Sequence, residues 1–168
     1  RFIFTNNTKL AFGNMTYNWD FGDGSKRVQA EDTNHRYSTE GSYRVKLIAT
    51  TNLGCRDSVD SLIVVHPMPI PDFAVSSSCA QGNTVAFYNG SKISSGSLTY
   101  DWDFGSGFTS SIKSPYFTYP GSGKYRVVLN AESGYGCRDS MVDTIQVYTG
   151  LKAQFKVSRQ QCGVSNRI

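Results

Sequence analysis

Tyr17-Asn18-Trp19-Asp20-Phe21-Gly22 returns later in the chain as Tyr100-Asp101-Trp102-Asp103-Phe104-Gly105, and Gly54-Cys55-Arg56-Asp57-Ser58 returns as Gly136-Cys137-Arg138-Asp139-Ser140. The offset is 83 residues at the tryptophans and 82 at the cysteines. Between these anchors Tyr37 matches Tyr119, and Tyr43-Arg44-Val45 matches Tyr125-Arg126-Val127. A repeat of this length, holding register from one anchor to the next, makes the chain an array of structural modules. Working outward, Phe4-Thr5-Asn6-Asn7-Thr8 aligns with Phe87-Tyr88-Asn89-Gly90-Ser91, while Phe155-Lys156-Val157 and Cys162 repeat Phe73-Ala74-Val75 and Cys79. The expected division is therefore a module over 1–66 that lacks its first strand, a complete module over 67–149, and the opening of a third over 150–168.

Short apolar or alternating stretches are separated throughout by Gly, Asn, Ser and Pro, and no segment sustains a 3.6-residue period. The pattern predicts an all-β chain of tandem immunoglobulin-like β-sandwiches. In the middle module strands are expected near Asp72–Val75, Thr84–Asn89, Leu98–Phe104, Tyr116–Tyr119, Lys124–Ala131 and Asp143–Tyr148. His66-Pro67-Met68-Pro69-Ile70-Pro71 reads as the junction, its prolines fixing φ and removing donors, which predicts a short, stiff connection.

The net charge of +4 is mild, and the cations are mixed with carboxylates, so no basic stripe suited to nucleic acid is present. The longest apolar run, Leu62 to Val65, is far short of the roughly 18 residues of a membrane-spanning helix, which argues against membrane insertion. The four cysteines form no CxxC pair and have no histidine at zinc-ligand spacing. In the repeat register each complete module carries one cysteine after its first strand and one in the late Gly-Cys-Arg-Asp-Ser turn. Cys79 is thus expected to pair with Cys137, leaving Cys55 and Cys162 with partners outside the sequence; the alternative is free thiols in a reducing compartment.

Trp19-Asp20-Phe21-Gly22-Asp23-Gly24, followed by His35-Arg36-Tyr37 and Gly41-Ser42-Tyr43-Arg44-Val45, resembles the signature of the PKD (polycystic kidney disease) domain. The second module departs from it where Ser106 replaces the second Asp and Phe117 stands at the position of His35. Flanking cysteines, and prolines introducing each Phe-x-Val strand, are similar to PKD arrays of large secreted Bacteroidota proteins, including gliding adhesins and other type IX secretion cargo. The resemblance implies an extracellular or cell-surface location, with neighbouring modules of the same chain as partners, together with cell-surface or secretion-machinery proteins. Physically, Trp19 and Trp102 should fill the space between two sheets, Phe21 and Phe104 should point to the same face, and Asp20 and Asp103 should accept backbone hydrogen bonds within the turn. Some family members bind calcium near module ends. Here the loss of Asp23 at Ser106 and the lack of a dense acidic loop favour no cofactor, with calcium the lesser reading.

His35 and His66 are the only histidines, and neither recurs, so no catalytic constellation is expected. Most aromatics occupy repeat-equivalent core positions; Phe108, Tyr116, Tyr135 and Tyr148 do not, and would form a sugar-binding platform only if the fold gathered them. Ser58, Ser61, Ser140 and Thr144 each follow an Asp and precede an apolar residue, which looks like the O-glycosylation motif of exported Bacteroidota proteins. The competing reading is a solvent-facing stripe on a strand whose apolar residues point inward. The Asn-x-Ser/Thr sequons at Asn6, Asn14 and Asn89 would matter only in a eukaryotic secretory host. The expected role is a spacer repeat in the stalk of a long surface adhesin, serving adhesion or gliding motility and stabilised mechanically by the disulfides. The alternative is an accessory module of a secreted hydrolase that presents or binds polysaccharide or protein substrate.

Overall fold

The computed structural model describes residues 1–76, 83–105, 107–148 and 154–156. Every regular element among them is a strand. In the first module these are β1 (Phe2–Phe4), β2 (Met15–Asp20), β3 (Thr33–His35), β4 (Gly41–Thr51) and β5 (Arg56–Val65). The second has β6 (Phe73–Val75), β7 (Thr84–Asn89), β8 (Leu98–Asp103), β9 (Thr109–Ser110), β10 (Tyr116–Thr118), β11 (Gly123–Ser133) and β12 (Arg138–Val147).

In the second module a four-stranded sheet in the order β12-β11-β8-β9 faces a three-stranded sheet in the order β10-β7-β6, with all pairs antiparallel. Along β8 and β11 inward apolar residues alternate with outward ones, as a sandwich requires, while β7 buries Val85, Ala86 and Phe87 in a row. Phe73, Val85, Phe87, Trp102, Phe104, Tyr119, Val127, Leu129, Ile145 and Val147 make the core. The first module repeats the plan with β2-β4-β5 on one side and β1-β3 on the other, around Trp19, Phe21, Tyr37, Val45 and Leu47.

Two expectations are revised. The last strand of the second module starts at Arg138, five residues before the apolar pattern begins at Asp143, because β11 imposes pairing from Glu132↔Arg138 onward. The stretch Arg138–Asp143 is almost wholly exposed and carries no apolar period to read. The short strand β9 was also not expected; it pairs Trp102↔Ser110 and Asp103↔Thr109, and its counterpart in the first module is a single bridge, Trp19↔Val28.

The junction is stiff for more reasons than its prolines. β5 ends at Val65, and the next residue, His66, stacks on Tyr135 of the β11–β12 turn with ring centroids 4.0 Å apart and planes 9° apart. Pro67 and Pro69 are buried. Ile70 N–H donates to the Lys92 carbonyl (2.8 Å), and Lys92 N–H donates back to that of Ile70 (2.9 Å). The linker is thus fastened to the second module from its first residue.

Candidate functional site

The signature turn builds the sandwich. Trp19 and Trp102 are buried between the sheets, and their indole N–H groups donate to the carbonyls of Ala30 (3.1 Å) and Ile112 (3.0 Å). Phe21 and Phe104 are buried on the same side. Asp20 and Asp103 each accept a bond from the backbone N–H two residues on, that of Gly22 (3.1 Å) and of Gly105 (2.8 Å). The Gly22 bond and then the Arg27 guanidinium, 3.0 Å away, hold the Asp20 carboxyl below the usual carboxylate range. The glycines are needed for close approach as well as for the turn. Both have φ of +74°, and a Cβ on Gly22 would lie 2.5 Å from the Arg44 carbonyl oxygen, with one on Gly105 nearer still to that of Arg126.

Beside this turn the modules diverge. In the first, the His35 ring stacks on Phe21 at 4.0 Å with planes 4° apart, and its Nε2–H donates to Asp23 Oδ2 at 2.6 Å. Partial burial pushes the Asp23 carboxyl up, but hydrogen bonds from Ser25 and His35 outweigh it and bring the pKa down to about 2. In the second, Phe117 takes the same stacked place on Phe104, 4.5 Å and 4°. Both modules thus stack a planar ring on the signature Phe at this position, His35 in one and Phe117 in the other. Tyr37 O–H donates to the Phe21 carbonyl (3.1 Å), whereas the Tyr119 hydroxyl is pushed well above its ordinary pKa, chiefly by burial.

Among the described residues, no group of three or more His, Cys, Asp or Glu side chains is placed to hold a metal ion. Phe108, Tyr116, Tyr135 and Tyr148 are all exposed but form no aromatic pair with one another. They stand on the β8–β9 turn, on β10, on the β11–β12 turn and after β12, so no stacking platform results. Tyr135 is instead engaged by His66.

Ser58, Ser61, Ser140 and Thr144 are exposed on β5 and β12, the outer strands of their sheets. Three of the preceding aspartates act on the strand itself. Asp57, Asp139 and Asp143 each accept the N–H of the following residue, at 2.8, 2.8 and 2.7 Å. Ser61 lies at the opposite strand parity, and its Asp60 pairs with Arg44 instead. The Asp-Ser/Thr pattern therefore occupies outward edge donors, a general way to blunt an exposed sheet edge. This local role is not visible in the motif as a string of letters.

Cys79 and Cys162 lie outside the described residues, and with them the expected Cys79–Cys137 pairing; Ser106 also lies outside. Cys137 is a half-buried thiol whose backbone N–H donates to Ser133 Oγ (3.1 Å), and Cys55 is an exposed one. No helix among the described residues is long and apolar enough to cross a membrane.

The family model described as PKD domain matches residues 2–65 and again 66–148. Among curated proteins, the chain is 44% identical over 55 residues to collagenase ColA of Clostridium perfringens (strain 13 / Type A), which takes in 32% of this chain and only 5% of that protein. Among solved structures it is similar to the PKD1 domain of Vibrio anguillarum Epp (30% identity, TM-score 0.47, covering 51% of this chain and 99% of that one). It is also similar to the PKD1 domain of the Vibrio cholerae metalloprotease PrtV (32% identity, TM-score 0.44, covering 51% and 100%). The two matched spans carry the two Trp-Asp-Phe-Gly turns and the sandwiches around them, and the chain belongs to the PKD domain family as two modules in tandem.

Proposed function

We propose that these modules are non-catalytic spacers of a long extracellular protein, holding a terminal binding or motility-coupled domain away from a cell surface. The observation that carries this reading is the junction. His66 follows β5 and stacks at once on Tyr135, Pro67 and Pro69 are buried, and Ile70 and Lys92 are bonded in both directions, so the linker has almost no free length. A stalk needs such a joint; a flexible tether does not. A large surface adhesin of the Bacteroidota gliding type is the parent this reading favours, with neighbouring modules and surface or secretion-machinery proteins as contacts.

The proposed Cys79–Cys137 bond would add mechanical resistance and, by the chain-entropy estimate, about 4 kcal/mol of stability. Single-molecule extension tests this. In oxidising buffer the middle module should release less length than in reducing buffer, because the segment between the cysteines stays closed. Equal release in both buffers rejects the bond. The exposed hydroxyls of Ser58, Ser61, Ser140 and Thr144 are proposed as glycan acceptors in the native host. An intact mass equal to the sequence mass of the native material would exclude this.

A second reading is favoured by a different observation, the 44% identity to part of a collagenase and the similarity to the PKD1 domain of a metalloprotease. There the modules would be accessories that join a catalytic domain to a substrate-binding one. The full reading frame separates the two: a hydrolase domain beside a few modules supports the accessory role, and dozens of modules support the stalk.

A further inference from the structure

The linker meets the second module along one short strip, Asn89-Gly90-Ser91-Lys92, which continues from the end of β7. Beside the Ile70–Lys92 pair, the Gly90 N–H donates to the Asp72 carbonyl (2.8 Å), and the Asp72 N–H donates to Ser91 Oγ (3.2 Å). Asn89 stands opposite Phe73, and its Oδ1 accepts the Ser91 N–H (2.9 Å).

Asn89-Gly90 is the only Asn-Gly pair in the sequence. The glycine is not there for a left-handed turn, since Gly90 does not take a positive φ. Close approach requires it: a Cβ on Gly90 would stand 3.0 Å from Asp72 Oδ2. The missing side chain also leaves the Gly90 nitrogen unshielded beside the Asn89 side-chain carbonyl carbon, Cγ, which it can attack. The counterpart in the first module, Asn6-Asn7, carries a side chain at the second position and lacks this opening. In the fold the bond to Asp72 opposes the attack, because the Gly90 nitrogen has to shed its proton and turn towards Cγ.

We propose that Asn89-Gly90 is a self-modifying site gated by the junction. It stays intact while Asp72 is seated, and it converts to aspartate or isoaspartate when the linker lifts. In the opened state a bond forms between Gly90 N and Asn89 Cγ as the Cγ–Nδ2 bond breaks. Nδ2 leaves as ammonia, taking up the proton of Gly90 N through solvent. Water then opens the succinimide ring at either carbonyl and is the only co-reactant. Isoaspartate adds one methylene to the main chain, which displaces Ser91 and Lys92 from Asp72 and Ile70. The aspartate product fails for another reason. Asn89 Nδ2 is buried with no hydrogen-bond partner among the described residues, so the carboxylate oxygen that replaces it is a buried, unpaired charge. Either product weakens the bonds that hold the gate, so a junction that has opened long enough to react no longer closes as before. The inference rests on the junction contacts and not on the spacer role.

Ageing the full chain in mildly alkaline buffer, with peptide mapping of aspartate and isoaspartate at residue 89, tests the gate. Conversion in the fold should be at least about tenfold slower than in urea, and the slowing should match the hydrogen-exchange protection of the Gly90 N–H, since one local opening frees both. Ile70→Pro removes the N–H that bonds the Lys92 carbonyl, at an exposed site remote in sequence from Asn89. It should raise the native rate about fivefold, the equivalent of one hydrogen bond worth ~1 kcal/mol, and leave the rate in urea unchanged. Equal rates in native buffer and urea, or a native rate in Ile70→Pro no faster than the parent's, overturns the gate. Asn89→Asp, one of the two products, should lower the exchange protection of the Gly90 and Lys92 N–H groups; unchanged protection overturns the loosening. Either failure leaves the spacer reading standing.

Discussion

Gly22 and Gly105 carry a constraint that a turn alone would not impose, since the backbone of Arg44 or Arg126 occupies the space of the missing Cβ. Gly107 has a similar positive φ, +80°, but open space around it. Gly105→Ala should therefore cost the second module well over ~2 kcal/mol, and Gly107→Ala only ~1 kcal/mol, as read by urea unfolding. Equal costs would mean that conformation alone decides. The inward Trp and Phe and the bond-accepting Asp were legible in the sequence, because their roles act over one or two residues. The glycine's close neighbour, from a different strand, was not.

His35 and Asp23 make a second residue-scale prediction. The Asp23 carboxyl titrates at about 2 in the fold and at 3.8 when free, so its contribution is full above pH ~4 and is lost as pH falls towards 2. That contribution is about 2 kcal/mol. Asp23→Asn should remove it at neutral pH and leave little difference from the parent near pH 2, with both followed by thermal unfolding of the first module. His35→Phe, which copies the Phe117 stack, should keep the fold but weaken the acid dependence. An undiminished acid transition in that variant would assign it elsewhere.

At the scale of elements, the apolar alternation located most strands of the second module but not the front half of β12, whose pairing comes from β11. The Asp-Ser/Thr pattern there looked like a modification signal or a solvated face, and the structure adds a third property, capping of outward N–H groups. Asp143→Ala should speed amide exchange at Thr144 about fivefold, the equivalent of a hydrogen bond worth ~1 kcal/mol, with little change at Ser140. No change at Thr144 would show that the carboxylate does not protect it.

In the whole molecule the tandem PKD sandwiches are joined with almost no free linker. Prolines at 67, 69 and 71 suggested stiffness from the sequence, but the greater part comes from His66 on Tyr135 and from the Ile70–Lys92 pairing, contacts with residues too distant in sequence to be read there. The most direct test is a distance distribution between spin labels, one on each module, at exposed sites such as Thr16 and Thr99. One narrow distribution is expected, broadening clearly in Tyr135→Ala. A broad distribution in the parent chain, unchanged by that substitution, would contradict a stiff joint.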